Sequence, residues 1–330
     1  MTKAMMVGFF RLATLLVTFL LLSLRDAAAL ENVRIAYPTM GTGVFYLVVA
    51  LKEGYYKEDG LNVELLNVRG EIAIKTALAG EVDFFTNAGS ALAGAVRGVP
   101  LKVLTVIQDS PSWELIVQPQ FKSVAQLKGT TIGVMSPEGS LAVVTREILR
   151  KNGLDPGKDV NLIIMGGEDV RFMAMKGKAI SATLLSPTSN LMAQRDGFKS
   201  LARASDYVSF LQGGLATTDD KIKRSPEKVT KFLRASHKGH HYFLTKREQS
   251  ITYMMDMLRL KDRELASLIY DIETKHMVRD GVTSEKVLQG FIDDMKKTTR
   301  VNREIKIADI FDFRFIVKVN EELRASGWKP

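Results

Sequence analysis

The sequence predicts an α/β protein built from two similar lobes in series, followed by a helical C-terminal part. Short apolar segments alternate with amphipathic ones from Val33 to about Thr217, as strands and helices do in a parallel sheet. A helix–strand–helix unit around Val82 has a weaker copy around Ile180, at an offset of 98 residues. Beyond Thr217 the chain is charged and its pattern is helical. Chance similarity of the two units is the alternative to a repeated lobe.

An export signal is predicted at residues 1–29. Lys3 and Arg11 precede an apolar run from Leu12 to Leu24, and Arg25 and Asp26 separate this run from three alanines that end at Ala29. The run has 13 residues, fewer than the roughly 20 that span a bilayer. We therefore expect cleavage and a mature protein in the periplasm. An uncleaved membrane anchor is the alternative.

The predicted elements follow one another in a regular order. Strands are expected at residues 33–37, 61–66, 82–85, 102–107, 113–117, 131–134, 161–165 and 180–185. Helices are expected between them at residues 45–57, 71–79, 91–97, 140–152, 170–175 and 188–196. Five further helices are expected at residues 226–245, 248–258, 262–273, 284–297 and 313–325. This order predicts a lobe 1 of residues 30–112 and 212–330, and a lobe 2 of residues 113–211.

Composition excludes several classes of protein. The 330 residues include 46 lysines and arginines against 37 acidic residues, a formal net charge of +9. The basic residues are scattered among the acids, so we expect no nucleic-acid partner. The chain has no cysteine, which excludes disulfides, thiolate metal sites and a thiol nucleophile.

Catalytic and metal-binding motifs are sparse. The sequence contains no nucleophile elbow, zinc-protease, Walker or dinucleotide motif. His237 and His241 lie four residues apart, so two imidazoles on one helical face could bind zinc. No carboxylate within one turn completes the set, which favours a solvated helix face with His240 partly packed beside Phe243. We expect no metal, no cofactor and no catalytic residue.

Small polar residues follow four of the predicted strands, where the next helix begins. These strand ends are residues 37–43, 86–90, 135–140 and 185–189. In open parallel sheets ligands bind beyond the carboxyl ends of the strands, and amide and hydroxyl groups at a helix start bind anionic oxygens. N-capping explains the same serines and threonines equally well. Because the four ends come from both lobes, we expect them to meet in a cleft between the lobes.

Five segments carry a resemblance to a known family. They are Asn32–Tyr37, Val49–Val63, Ala77–Asp83, Val124–Gly129 and Leu149–Pro156. In this order they resemble the solute-binding components of ABC importers of the sulfonate, nitrate and taurine type, which include binders of the pyrimidine precursor of thiamine. The resemblance implies a type II periplasmic binding protein, whose two α/β lobes are joined by two crossing segments and close on a ligand. The implied role is to capture a small organic molecule or anion and deliver it to an inner-membrane permease.

The predicted site joins the strand ends of both lobes. In lobe 1 it contains Thr39, Gly41, Thr42, Phe45, Thr86, Asn87, Gly89 and Ser90. In lobe 2 it contains Ser136, Gly139, Ser140, Ser186 and Pro187. Trp113 is a candidate aromatic wall, with an ordinary core position as the alternative. Arg69 and Arg171 are candidate counter-charges for an anionic ligand, with a surface position as the alternative.

The chain departs from the family pattern at three points. Ser181 stands where the family has an acidic residue, and Lys178 stands where a glycine is expected, with Gly177 one place earlier. The absence of cysteine removes the motif of the pyrimidine-synthesising eukaryotic relatives, so we expect no synthase activity. We expect a monomer that serves a permease. A ligand-sensing subunit of a membrane signalling system is the alternative function on this fold, and an exported enzyme is a third.

Overall fold

The strands of the protein form two separate five-stranded sheets. The computed structural model describes residues 29–38, 40–68, 70–135, 140–208 and 211–330. The first sheet contains β1 (Glu31–Tyr37), β2 (Leu61–Asn67), β3 (Phe84–Phe85), β4 (Leu101–Gln108) and β10 (Gly213–Thr218), in the order β2-β1-β3-β10-β4. The second contains β5 (Glu114–Val117), β6 (Thr131–Val134), β7 (Asn161–Ile164), β8 (Ala182–Leu185) and β9 (Lys199–Arg203), in the order β7-β6-β8-β5-β9.

The two sheets have the same topology. In the first, β1 lies parallel between β2 and β3, and β10 runs antiparallel to both β3 and β4. In the second, β6 lies parallel between β7 and β8, and β5 runs antiparallel to both β8 and β9. The chain crosses from one sheet to the other after β4 and returns before β10. The predicted fold of two similar lobes joined by two crossing segments is therefore confirmed, and β3 and β8 are its repeated strand.

Fourteen α-helices lie in the described part of the chain. Seven belong to the first two-thirds: α1 (Thr42–Lys52), α2 (Tyr55–Glu58), α3 (Gly70–Leu78), α4 (Ala88–Val96), α5 (Ser140–Lys151), α6 (Glu168–Lys176) and α7 (Pro187–Arg195). Seven follow β10: α8 (Asp219–Arg224), α9 (Pro226–Thr245), α10 (Arg247–Leu258), α11 (Arg263–Lys275), α12 (Glu285–Thr299), α13 (Ile307–Ile310) and α14 (Arg314–Ala325). Short 3-10 helices occupy Val124–Leu127 and Ala204–Asp206. No helix in these ranges is both long and apolar enough to cross a bilayer.

Three predicted details differ from the structure. The single helix expected at residues 45–57 is two helices, because the chain turns at Gly54 with a φ of 78°, a backbone conformation that favours glycine. Strand β10 was not predicted, since its glycine, alanine and threonine residues give no apolar alternation although every one of them is buried. Strand β9 was not predicted either, because a lysine begins it and an arginine ends it. Both strands owe their pairing to neighbours distant in sequence.

Helices cover both faces of each sheet. On the first sheet, Phe291 of α12 packs on one face with α4, and Phe232 of α9 packs on the other with α1 and α14. On the second sheet, Ile148 of α5 packs on one face, and Met175 of α6 packs on the other with α7. Each lobe is thus a three-layer sandwich whose parallel strands are buried on both sides. The lobe boundaries at residues 112, 113, 211 and 212 remain a prediction.

Candidate functional site

The predicted strand ends lie at equivalent edges of the two sheets. Helix α1 follows β1 and α4 follows β3, and these two strands are parallel. Helices α5, α6 and α7 follow β6, β7 and β8, which are also mutually parallel. Because the carboxyl ends of parallel strands meet at one edge, the starts of these helices cluster on one side of each lobe.

Two helix starts in this cluster lack a side-chain cap although a residue able to cap precedes each of them, and Ser225 before α9 likewise does not cap its helix. Asn87 precedes α4 and Ser186 precedes α7, yet neither side chain caps its own helix. Elsewhere the side chains of Thr218, Asp262 and Ser284 accept hydrogen bonds of 3.1, 2.9 and 3.4 Å from N–H groups in the first turns of α8, α11 and α12. The capping explanation therefore fails for Asn87 and Ser186, and the N–H groups at the starts of α4 and α7 are not used by these side chains.

In lobe 1 the structure brings Thr86, Asn87, Gly89 and Ser90 together around the start of α4. Thr86 is 6 % exposed, and its backbone N–H bonds Ala36 O at 3.0 Å. Asn87 and Ser90 are half-buried, and Gly89 is buried. The side chains of Thr86 and Asn87 make no hydrogen bond within the described residues, so both are available to a ligand.

The start of α1 contains the other predicted residues of lobe 1. Gly41 lies in extended backbone before α1, and a Cβ at this position would meet open space. Thr42 is the first residue of α1, and Thr39 lies outside the described residues. Phe45 differs from its predicted place at an open strand end, since it is 1 % exposed with its ring 6.2 Å from that of Phe243. Apolar side chains of α10 and α11 cover it, and sequence pattern did not reveal that contact.

In lobe 2 an acidic residue occupies part of the predicted site. Ser186 and Pro187 begin α7, and Ser140 is the first residue of α5. Ser186 donates from its Oγ and its N–H to Glu168 Oε1, at 2.6 and 3.2 Å. Ser136 and Gly139 lie outside the described residues. Sequence reasoning missed Glu168, which is the first residue of α6.

Arg171 is buried, so the alternative prediction of a surface position is wrong for this residue. Arg69 lies outside the described residues. Arg171 is 1 % exposed and donates to Thr183 Oγ1 at 3.1 Å, to Gly166 O at 2.6 Å and to Leu184 O at 3.4 Å. It makes no ion pair with a described carboxylate. Burial lowers the pKa of Arg171, and the charges of Glu168 and Asp169 oppose that shift. The charge therefore lies beneath the carboxyl edge of the second sheet and does not line an open cleft.

The two crossing segments are joined to each other. Gln212 accepts from the N–H of Ser112 at 2.8 Å and donates to Ser112 Oγ at 3.3 Å. The N–H of Gln212 also donates to Gln108 O at 3.1 Å. Trp113 is partly exposed at the start of lobe 2 and packs against the core of that lobe. These hydrogen bonds join the two crossing segments to each other.

The last turn of α11 and the segment after it hold the lobe 1 end of the first crossing segment. Gln108 Nε2 donates to the buried carboxylate of Glu273 at 2.9 Å, and Thr283 donates to Asp109 at 2.8 Å. Ser110 Oγ lies 3.0 Å from His276 Nδ1. The chain is thereby fixed to lobe 1 up to Ser110.

The lobes also touch beside the crossing segments. Leu191 of α7 packs against the apolar cluster that contains Phe45 and Phe243. Arg195 pairs with Asp262 across the same contact, at 2.5 Å. Helix α7, which begins at the predicted site in lobe 2, is thus held against the first turns of α1 and α11.

The histidine cluster is not the solvated helix face that the sequence favoured. His237 is 2 % exposed and His240 is fully buried, because α9 packs between α1 and α14. His237 and His241 face each other with their Nε2 atoms 3.1 Å apart. Burial lowers the pKa of His240 to about 4 and lowers that of His237. Among the described residues no group of three histidine or acidic side chains is placed to hold a metal ion.

Comparison with known proteins identifies the family. The model of the family described as NMT1/THI5 like matches residues 42–250, more than half of the chain. The chain belongs to this family. A protein of Brucella abortus named only as a binding protein is 26 % identical to this NMT1/THI5-like chain over 285 residues, covering 82 % of this chain and 86 % of its own. A 4-amino-5-hydroxymethyl-2-methylpyrimidine phosphate synthase of Saccharomyces cerevisiae is 24 % identical over 219 residues, covering 60 % of this chain and 62 % of its own.

A solved structure supplies the fold comparison. The periplasmic sulfonate-binding protein of a sulfonate ABC transporter from Methylobacillus flagellatus is 16 % identical, with a TM-score of 0.70 over 92 % of this chain and 98 % of its own. This likeness shows the fold, which is the one found in periplasmic binding proteins. The family, the fold and the name of the Brucella protein agree with the role predicted from sequence, a solute-binding protein.

Proposed function

We propose that this chain is an exported solute-binding protein that captures a small organic molecule or anion between its lobes and delivers it to the permease of an ABC importer. Lobe 1 comprises residues 30–112 and 212–330, and lobe 2 comprises residues 113–211. The protein acts in the periplasm as a monomer. Captured solute leaves unchanged, and the lack of any cysteine argues against the synthase activity named for the yeast relative.

One observation carries the proposal. Helices begin at the carboxyl edges of both sheets with Asn87 and Ser186 in the capping position, and neither side chain is used as a cap. Three helix starts away from these edges are capped by Thr218, Asp262 and Ser284, and others, such as that of α9 after Ser225, are not. At the start of α4 the side chain of Asn87 remains for a ligand, and at the start of α7 Ser186 bonds Glu168, so both sheets present polar groups at the edge where α/β folds bind ligands.

Closure of the lobes is the proposed mechanism. A ligand that touches helix starts in both lobes binds the closed form better than the open one, so it shifts the population toward closure. The coupled crossing segments around Ser112 and Gln212 are the proposed hinge. The contact of α7 with α11 already brings the two lobes together beside the site. A sulfonate is one anion that fits this account, as the name of the Methylobacillus protein indicates.

The test compares ligand binding with stability in matched variants. Native mass spectrometry of protein purified without refolding identifies the bound compound, and calorimetry then measures its affinity. We expect Thr86→Ala and Ser140→Ala each to weaken binding of an anionic ligand about tenfold or more, since a hydrogen bond to a charged group contributes roughly 1.5 to 3 kcal/mol. The free energy of unfolding should change little.

Ser284→Ala is the control, because Ser284 caps α12 away from the site. This variant should lose about 1 kcal/mol of stability and keep its affinity. Affinities of Thr86→Ala and Ser140→Ala within twofold of the parent protein would show that the site is wrongly assigned. A protein that retains and binds no small molecule would contradict the proposed function itself.

A further inference from the structure

Glu168 lies where an anionic ligand of lobe 2 would be expected to bind. It is the first residue of α6, which follows β7, while Ser186 directly follows β8. Since β6, β7 and β8 are parallel, both residues lie at the carboxyl edge of the second sheet. Glu168 Oε1 accepts from Ser186 Oγ at 2.6 Å and from Ser186 N–H at 3.2 Å.

The hydrogen bonds to Glu168 use the first donors at the N-terminus of α7. The next residue, Pro187, has no N–H, so Ser186 supplies both the hydroxyl and the first amide at this helix start. A carboxylate held by a hydroxyl and an amide at a helix N-terminus is a favourable arrangement. The protein has therefore filled this anion position with a side chain of its own, and a ligand anion would have to displace it.

Glu168 still offers an acceptor to a ligand. Its second carboxylate oxygen makes no hydrogen bond with the described residues. The buried guanidinium of Arg171, three residues further along α6, attracts the Glu168 charge and forms no ion pair with a described carboxylate. A carboxylate fixed through one oxygen and open at the other binds groups that donate hydrogen bonds.

We propose that Glu168 determines ligand specificity in the lobe 2 half of the site, where its open carboxylate oxygen binds an ammonium or other N–H donor of the ligand. This inference rests on the proposed function and names the substrate class of the same site. The ligand carries a cationic or N–H-donating group toward lobe 2. Its acceptor or anionic group faces the start of α4 in lobe 1, where the side chains of Thr86 and Asn87 are available.

The test uses two pairs of probes that are nearly equal in size. Taurine is compared with propane-1-sulfonate, and β-alanine with butanoate, because each pair exchanges an ammonium group for a methyl group. Calorimetry on the parent protein should show at least one amino compound binding about tenfold or more tighter than its methyl partner, the effect of one charge-assisted hydrogen bond. Glu168→Gln should reduce that ratio to within about threefold, since the amide keeps the bond to Ser186 and loses the charge.

Asp169→Asn is the matched control. Asp169 is the next residue of α6, is exposed, and makes no hydrogen bond with a described residue. Asp169→Asn changes the net charge by the same amount as Glu168→Gln and should leave the affinity ratio of each probe pair unchanged. Urea unfolding of both variants checks that each is folded.

Three results would overturn the inference. The first is an affinity ratio in Glu168→Gln that equals that of the parent protein, and the second is a fall of this ratio in Asp169→Asn as large as in Glu168→Gln. The third is a parent protein that binds none of the four probes and retains another small molecule that has no N–H donor. In the third case the proposed function stands, because a solute is still captured. A parent protein that neither retains a compound nor binds any probe counts against both proposals.

Discussion

Lobes 1 and 2 share a topology but differ at equivalent positions beneath their carboxyl edges. In lobe 1, Phe85 of β3 and Ala73 of α3 are buried in an apolar core. At the same offset of 98 residues, lobe 2 has Thr183 and Arg171. Arg171 bonds Thr183, which in turn donates to Gly133 O at 2.9 Å. One fold thus accommodates an aromatic ring in one lobe and a hydrogen-bonded guanidinium in the other.

The difference separates what the fold needs from what this chain has added. Lobe 1 shows that an apolar filling stabilises this arrangement of strands and helices without a buried charge. Burying a cation without a carboxylate partner is unfavourable, so packing alone does not account for Arg171. Its position beneath Ser186 and Glu168 connects the charge with the candidate site in lobe 2.

A second difference lies in the turn before the repeated strand. Gly80 in lobe 1 has a φ of 77°, and Lys178, at the same offset, has a φ of 58°. Lobe 2 therefore keeps the left-handed turn although it lacks the glycine that suits it. Gly177, one place earlier, does not adopt a positive φ. The departure from the family pattern has changed the residue and not the backbone.

The largest expected effect on stability comes from replacing the buried Arg171 of lobe 2 with an apolar side chain, as in the core of lobe 1. Arg171→Ala should lower the free energy of unfolding by about 4 kcal/mol, because it leaves a cavity and unpaired carbonyls. Arg171→Met should recover most of this loss, since it fills the volume and removes the desolvated charge. Urea unfolding measures both. If Met is as destabilising as Ala, the guanidinium bonds themselves hold lobe 2 together, and the comparison with lobe 1 fails.

Acid should affect lobe 1 before lobe 2, because all four histidines lie outside residues 113–211. Unfolded histidine binds a proton near pH 6.5, whereas the pKa of buried His240 is about 4. Stability is then complete above about pH 6.5 and falls as the pH drops toward 4, by about 3 kcal/mol from His240 alone. Urea unfolding at pH 7.5 and 4.5 measures the change.

The two tryptophans sharpen this prediction, since Trp113 lies in lobe 2 and Trp328 contacts Tyr55 in lobe 1. In single-tryptophan variants, the Trp328 emission should shift to longer wavelength at a higher pH than that of Trp113. Simultaneous shifts would show that the lobes unfold together. His240→Gln should flatten the pH profile of stability.

The smallest expected effect comes from exchanging the turn residues. Lys178→Gly should raise stability by up to about 1 kcal/mol, because it relieves a left-handed backbone. Gly80→Lys should lower stability by about 1 to 2 kcal/mol for the same reason. Opposite signs in thermal unfolding would confirm that the turns are equivalent. Changes of the same sign would contradict the equivalence.

The elements that the sequence predicted well have a local pattern. Strand β6 was predicted with its observed limits, as was the long helix α9, whose buried residues repeat every three or four positions. The repeat around Val82 and Ile180 predicted the shared topology, because each unit carries its own helix, turn and strand. Hydrophobic periodicity and turn residues act between near neighbours, so one sequence is enough to read them.

The candidate site was predictable only in outline. The strand ends at Thr86 and Ser186 followed from the order of elements, because parallel strands end at one edge. That Phe45 is covered by α10 and α11, that Arg171 is buried, and that Glu168 bonds Ser186 depended on contacts between segments far apart in sequence. Burial and hydrogen bonding are properties of the neighbours a residue meets in space, and only the tertiary structure decided which neighbours these are.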